Sequence, residues 1–258
     1  MKHFGLIGYK LGHSYSKTIH EFNFKKLGLD ADYSLIEVNE EDLGEVCQKL
    51  RSGLLDGINV TIPYKEKIIP YLDFLSSDVN EIKACNTVKV LNGKLYGYNT
   101  DYIGFIKQLD YQHIDVKNKN VYVLGSGGAS KAICYALDKL AAKVTVVSRR
   151  GPFKYEDLYK LKSIDVIVNA TPVGMWPDVD ASPLSREILS KVKVVVDIIF
   201  NPRQTKLLQL VNQTNNGLPM LIYQAIASEE IWLDRSVDAD IEEIKEAIGW
   251  INLVTYLK

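Results

Sequence analysis

Apolar positions recur along the chain at two alternating spacings, close to two over short runs and close to three and a half over longer ones. In the first hundred residues the short runs 4–8, 33–38 and 57–62 predict strands, and the stretches 17–27 and 41–50 predict helices. Two further runs, 84–90 and 94–98, flank Leu91-Asn92-Gly93, and Asn-Gly favours the positive φ angles of a tight hairpin. A helix is expected over 101–109. Strand and helix patterns that alternate in this way predict an α/β layer with mostly parallel strands. After the polar turn Asn118-Lys119-Asn120 the alternation resumes. It predicts a strand at 121–124, a helix at 131–140, a strand at 144–147, a short helix at 155–161 and a strand at 165–169. A loop holding Pro172, Gly174, Pro177 and Pro183 separates these from a strand at 192–199 and a helix at 207–211. The tail, over 224–234 and 240–254, reads as amphipathic helix. No internal repeat or low-complexity segment stands out.

Between the strand at 121–124 and its helix lies Gly125-Ser126-Gly127-Gly128-Ala129-Ser130. Glycines there let the backbone turn tightly and approach a pyrophosphate, whose charge meets the N–H groups and positive end of the helix. The next strand ends in Ser148-Arg149-Arg150. An acidic residue at that point would hold the ribose hydroxyls of NAD, whereas two arginines suit the extra 2′-phosphate of NADP. Taken alone, a glycine turn is as readily a tight connection, and adjacent arginines are more often solvated. The preceding strand, the following helix and the arginines' place at the second strand's end weigh for the dinucleotide. Because the glycine turn starts near mid-chain, the preceding half is expected to hold the substrate.

The chain has 258 residues, enough for one large or two modest domains with ample core. A formal net charge of −1 gives no general attraction to nucleic acid or to an anionic membrane, so neither is expected as a partner and local sites must explain any ligand. Cys47, Cys85 and Cys134 include no Cys-x-x-Cys pair and read as reduced thiols of a cytoplasmic protein. No signal peptide and no apolar stretch long enough to span a bilayer is read. His3, His13, His20 and His113 lack metal-ligand spacing, so no metal is expected. Absence of a Gly-x-Ser-x-Gly elbow argues against a serine hydrolase. Trp176 and Trp232 are read as core.

Polar side chains crowd beside glycines and strand ends in the first half. The clusters are Gly12-His13-Ser14-Tyr15-Ser16, Asn59 through Thr61 and Pro63 to Lys65, Cys85-Asn86-Thr87, and Asn99-Thr100-Asp101. Ser14, Ser16, Thr61, Asn86 and Gln224 offer neutral hydrogen bonds suited to a polyhydroxylated small molecule. Lys65 and Asp101 are the chemical candidates. Hydride delivered to a ketone builds negative charge on its oxygen; an ammonium donates the proton, and a carboxylate orients the ammonium. Plainer roles compete: Lys65 as an exposed first helical turn, Asp101 as a helix cap, the serines as turn residues, and His13 as a buttress of its loop.

At these residues the chain resembles the shikimate dehydrogenase family over nearly its whole length. The resemblance rests on Gly8 to Lys17, Asn59 to Lys65, Asn99 to Asp101, Gly125 to Ala129, Asn169 to Met175, Asp197 through Pro202 to Thr205, and Gly217 to Gln224. It implies two α/β domains. A substrate-binding domain at 1–101 would be rejoined by carboxy-terminal helices at 225–258, and a Rossmann-type, doubly wound NADP-binding domain would occupy 102–224. The implied activity is reversible NADPH-dependent reduction of 3-dehydroshikimate to shikimate, towards chorismate and the aromatic amino acids. The alternatives are a quinate or dual quinate/shikimate dehydrogenase, and a non-catalytic NADP-binding regulator. Carried over residue by residue, Ser14, Ser16, Thr61, Lys65, Asn86, Asp101, Phe200 and Gln224 would meet substrate, with Lys65 and Asp101 catalytic. Gly125, Ser126, Gly127, Gly128 and Ala129 would hold pyrophosphate, Ser148, Arg149 and Arg150 the ribose phosphate, and the backbone near Ile198 and Gly217 the nicotinamide. A monomer or homodimer is expected. Lys10 and Lys17 stand where the family has prolines, Tyr102 replaces a glycine, and Phe200 replaces a tyrosine. At the cofactor end Lys131, Ser148 and Arg150 depart from the usual arginine, asparagine and threonine.

Overall fold

The strand that opens the chain, β1 (Lys2–Gly8), is buried from Phe4 onwards because neighbours cover both of its faces. Its side chains alternate between two cores, Phe4 and Leu6 in one and Ile7 in the other. The computed structural model describes residues 1–12 and 14–250. β1 is followed by α1 (Ser16–Lys26), β2 (Ala31–Glu37), α2 (Leu43–Arg51), β3 (Gly57–Val60), β4 (Phe74–Leu75), α3 (Ser77–Ile82), β5 (Thr87–Leu91) and β6 (Lys94–Tyr98). The six strands order as β2-β1-β3-β5-β6-β4. β2 and β3 run parallel to β1, but β5 is antiparallel to both β3 and β6. The sheet is therefore mixed, where alternation alone predicts mostly parallel strands. The hairpin is the cause: Asn92 and Gly93 both take positive φ, and a two-residue turn must reverse direction.

Val46, Cys47 and Leu50 of α2 pack with Ile7, Ile58, Val88 and Leu95 on one face of this sheet. On the other, Phe24 of α1 and Trp232 join Phe4, Leu6 and Tyr33. Trp232 stacks on Phe4 with 4.7 Å between ring centroids and donates its indole N–H to the Val88 carbonyl at 3.0 Å. Gly57 makes room for it, since a Cβ there would stand 2.5 Å from the indole nitrogen.

The chain continues through α4 (Asp101–Tyr111), β7 (Asn120–Leu124), α5 (Gly128–Lys139), β8 (Lys143–Val147), β9 (Ile164–Asn169), α6 (Arg186–Leu189), β10 (Val192–Asp197), α7 (Lys206–Val211), α8 (Leu218–Leu233) and α9 (Ile241–Ala247). It divides into two compact units, Met1–Thr100 with the chain from Ile222 onward, and Asp101–Leu221. In the second unit all four strands are parallel, ordered β10-β9-β7-β8. Val121, Val123, Val166, Val168 and Val196 face α4 and α5 through Phe105, Leu109, Ile133 and Leu137. Leu124, Ile167 and Val195 face the other way, onto Leu158, Ile188, Leu207 and Leu208. Helical segments on both faces of a parallel sheet make the unit a doubly wound, Rossmann-type fold.

Several elements depart from expectation. α5 begins at Gly128, inside the glycine turn, and α8 begins at Leu218, with Pro219 in the first turn where its missing N–H goes unused. α9 ends at Ala247, and 251–254 of the expected tail helix lie outside the described residues. Trp232 is core as expected, but Trp176 is half exposed, because its proline-rich loop lies beyond the strand ends that feed either core.

One buried carboxylate holds those strand ends together. Asp197, at the end of β10, is fully buried and accepts from Asn169 Nδ2 at 3.1 Å, from the Ile199 N–H at 3.0 Å and from Thr205 Oγ1 at 2.7 Å. Thr205 also caps α7, so β9, β10 and α7 meet at this one group. Burial pushes the Asp197 carboxyl up from 3.8 to about 6, against the pull of its three donors. Folding therefore takes up a proton here between those values. This contribution to stability is whole below the lower value and is lost as pH rises through the higher one. Asp197→Asn removes the titration. Its stability relative to the parent should climb as pH rises from 3.8 to about 6 and then level off, by on the order of 3 kcal/mol in all. Thermal melts across that range test this; a difference independent of pH would show that Asp197 does not titrate there.

Candidate active site

Sheet topology gathers the polar clusters of the first unit at one edge. β1 has β2 on one side and β3 on the other, so the loops leaving β1 and β3 diverge at a switch point, where open α/β sheets take their ligands. The register Ile7↔Val60, Asn59↔Thr87 and Thr87↔Tyr98 sets the end of β3 beside the start of β5 and the end of β6. Residues after β1, after β3, before β5 and after β6 thus share that edge. These are the segments that carry Ser14, Thr61 with Lys65, Asn86, and Thr100 with Asp101.

Each position has its local cause. Ser14 Oγ accepts from the Ser16 N–H at 3.2 Å where α1 begins, and Ser16 is buried. The Leu11 N–H binds the Glu37 carboxylate at 2.7 Å and moors this loop to β2. His13, expected to buttress it, lies outside the described residues. The Thr61 N–H donates to the Ile7 carbonyl at 3.0 Å, and a cis Ile62–Pro63 peptide follows. Lys65 is half buried in turns rather than opening a helix, and its carbonyl accepts from the Cys85 N–H at 2.7 Å, beside Asn86. Asn86 is buried; its Oδ1 accepts from the Thr100 N–H at 2.7 Å, and its Nδ2 donates to Thr100 Oγ1 at 2.9 Å and to Gln224 Oε1 at 3.4 Å. Asp101 is buried as the first residue of α4. Ser16's helix and Gln224's helix are tied by Glu229, fully buried, which meets His20 Nδ1 at 2.6 Å and accepts from Asn23 at 3.0 and 3.2 Å.

The second unit has its own switch point, between β7 and β9. Gly125 sits there with φ +105, and a Cβ on it would stand 3.1 Å from the Ala170 carbonyl oxygen. Its N–H donates to Val147, and Ser130 Oγ closes the turn on its carbonyl at 2.7 Å. Gly127 is the N-cap of α5, with no side chain capping the first N–H groups, and a Cβ there would meet nothing within 4 Å. Open space over uncapped amides at the start of a 12-residue helix fits a pyrophosphate. At the end of β8, Ser148 is buried and its N–H donates to Phe153, while Arg149 and Arg150 stand exposed on the turn between. Near β10 the Gly217 N–H donates to Ile199, and a Cβ on Gly217 would lie 1.9 Å from the Ile198 carbonyl oxygen. Only glycine permits that approach. Phe200, two residues beyond Ile198, is half buried.

Sequence reasoning gave Asp197 of the second unit no role beyond its motif, and it missed Ser228 of the first, which joins Asn59, Thr87 and Thr100. A serine on the apolar run of α8, one turn past Gln224, was the available signal. Among the described residues, no three His, Cys, Asp or Glu side chains gather as they would around a metal ion.

Residues 6–88 match the model of the shikimate dehydrogenase substrate binding domain. A shikimate dehydrogenase (NADP(+)) from Clostridium beijerinckii is 41% identical over 255 residues, covering 92% of this chain and 94% of that protein. The crystal structure of shikimate dehydrogenase 1 from Peptoclostridium difficile superposes with a TM-score of 0.89 at 38% identity, covering 99% of this chain and 100% of that one. Shikimate 5-dehydrogenase from Thermus thermophilus, solved in complex with NADP(H) and shikimate, gives a TM-score of 0.87 at 30% identity, over 96% and 99% of the two chains. With such identity sustained across more than nine-tenths of its length, this chain belongs to the shikimate dehydrogenase family.

Proposed function

We propose that this protein is a shikimate dehydrogenase that reversibly reduces 3-dehydroshikimate to shikimate with NADPH. The observation that carries the reading is the convergence of Ser14, Thr61, Lys65, Asn86 and Thr100 segments at one sheet edge, in a chain that also carries a parallel-sheet unit whose glycine turn leaves its helix amides uncapped. The names of the relatives support both substrate and coenzyme. The first unit is the substrate domain and the second the NADP domain.

Ser14, Ser16, Thr61, Asn86 and Gln224 bind the hydroxyls and carboxylate of the substrate through neutral, directional hydrogen bonds, which penalise a ligand lacking them. NADPH, when bound, supplies the hydride. The Lys65 ammonium donates the proton that the ketone oxygen requires, and in the reverse direction its amine accepts the alcohol proton. Asp101 orients Lys65 and holds its charge. Gly125, Ser126, Gly127, Gly128 and Ala129 receive the pyrophosphate, Ser148, Arg149 and Arg150 the 2′-phosphate, and the backbone at Ile198 and Gly217 the nicotinamide end. Phe200 contributes shape to the substrate site without a phenolic hydroxyl.

The departures from the family pattern have local accommodations. Tyr102 packs edge-on against Tyr135 of α5, 5.0 Å between ring centroids, which gives its bulk a place. Lys17 pairs with Glu21 along α1 at 3.7 Å. A cytoplasmic location, supported by three free thiols, and a monomeric or homodimeric state complete the reading.

Two variants test the roles. Lys65→Ala should lower kcat for shikimate oxidation by about 10²–10⁴-fold while leaving the NADP+ dissociation constant near that of the parent. Loss of NADP+ binding instead would move Lys65 to the wrong site, and a parent that binds NADPH yet never oxidises it with 3-dehydroshikimate would favour the regulator. Arg149→Ala with Arg150→Ala should raise the KM for NADPH by roughly ten- to a hundredfold and narrow its advantage over NADH. An unchanged coenzyme preference in paired kinetic assays refutes the phosphate clamp.

A further inference from the structure

Ser228 lies one helical turn beyond Gln224 on α8 and is fully buried. Ala225, Ile226 and Ala227, also buried, precede it in the helix, so it is a polar residue at the end of a buried apolar run. Its Oγ donates to the Gln224 carbonyl at 2.9 Å, accepts from Asn59 Nδ2 at 2.9 Å, and lies 2.8 Å from Thr87 Oγ1 and 3.2 Å from Thr100 Oγ1. A hydroxyl has one proton and two lone pairs. With the proton committed to the Gln224 carbonyl, both lone pairs are left for the Asn59 amide and a threonine hydroxyl.

That assignment passes outward to Asn86. The Thr100 N–H needs an acceptor, which fixes Asn86 Oδ1 towards it at 2.7 Å. Asn86 Nδ2 must then face Thr100 Oγ1 and Gln224 Oε1, at 2.9 and 3.4 Å. Thr87 Oγ1 stands 3.1 Å from Asn86 Oδ1 as well as 2.8 Å from Ser228. While Ser228 takes the Thr87 proton, Oδ1 stays with Thr100; without it, Thr87 turns to Oδ1 and competes with the Thr100 N–H.

We propose that Ser228 is a positioning residue for substrate recognition, fixing the orientation of the Asn86 carboxamide and the carbonyl one turn away at Gln224 without touching the substrate itself. The inference rests on the substrate reading above, in which Asn86 and Gln224 meet the ligand's hydroxyl groups. Its chemistry is a hydrogen-bond relay that leaves the cofactor unit untouched.

The test is steady-state kinetics on full-length Ser228→Ala, which suits a helix interior, and on Thr87→Val, which deletes the partner hydroxyl at nearly constant shape. Ser228→Ala should raise the KM for shikimate roughly tenfold, as expected when a buried donor loses its partner. Thr87→Val, which removes the competing proton, should leave that KM near the parent's. The KM for NADP+ and kcat should hold. The double variant should fall back towards the parent, because the hydroxyl that competes for Asn86 is then gone. An unchanged shikimate KM in Ser228→Ala, a parallel rise in the NADP+ KM, or a double variant no better than Ser228→Ala overturns the proposal. If the parent enzyme itself turns over no shikimate, the substrate reading falls and takes this one with it; an active parent beside an indifferent Ser228→Ala sinks only the relay.

Discussion

The first unit depends on the pairing of Asn59 with Thr87 and of Thr87 with Tyr98. A hairpin laid antiparallel against a parallel strand puts the start of β5 level with the ends of β3 and β6. Polar residues just outside those ends are therefore drawn to one edge although they are far apart in the chain. Side chains alternate faces along a strand, so a slip of one residue would turn Asn59 and Thr87 away from each other and bury the wrong set. Val88 and Leu95 pin the register from the core side, since the same slip would move both out of the cluster with Ile58 and Leu50.

Both units use the same device for making a site. In each, a central strand takes its first neighbour on one side and a later one on the other, opening a crevice at the carboxyl ends. The chemistry of the two crevices then differs with their backbones. In the second unit, glycines at 125 and 127 expose helix amides and suit an anion, and the exposed arginines at 149 and 150 add positive charge. In the first, amides and hydroxyls are locked by neighbours and suit a ligand recognised by hydroxyl geometry.

Locking carries a desolvation cost that the hydrogen bonds must offset. Asn59, Asn86, Thr87, Thr100 and Ser228 are all buried, and each has its partners within the cluster. Asp197 plays the corresponding part in the second unit, where three donors surround one carboxylate. A buried polar group with its partners in place has essentially one good arrangement, because every alternative leaves a donor or acceptor unmet. Preorganisation of this kind is what a site for small, hydroxylated ligands requires.

Local chemistry was legible in the chain by itself. The glycine turn, the Asn92-Gly93 hairpin, the core role of Trp232 and the polar clusters ending at Lys65, Asn86 and Asp101 all follow from spacing and residue type, because short-range sterics and periodicity act within a few residues. The family resemblance could be read from the same motifs. Tertiary structure alone decided that α8 starts at Leu218, that Trp176 is exposed, and that Ser228 and Asp197 are junctions behind the strand ends of their own units. These depend on partners brought together across the fold, such as Asn59 with Ser228 at a separation of 169 residues, and no local window of the sequence contains both halves of such a bond.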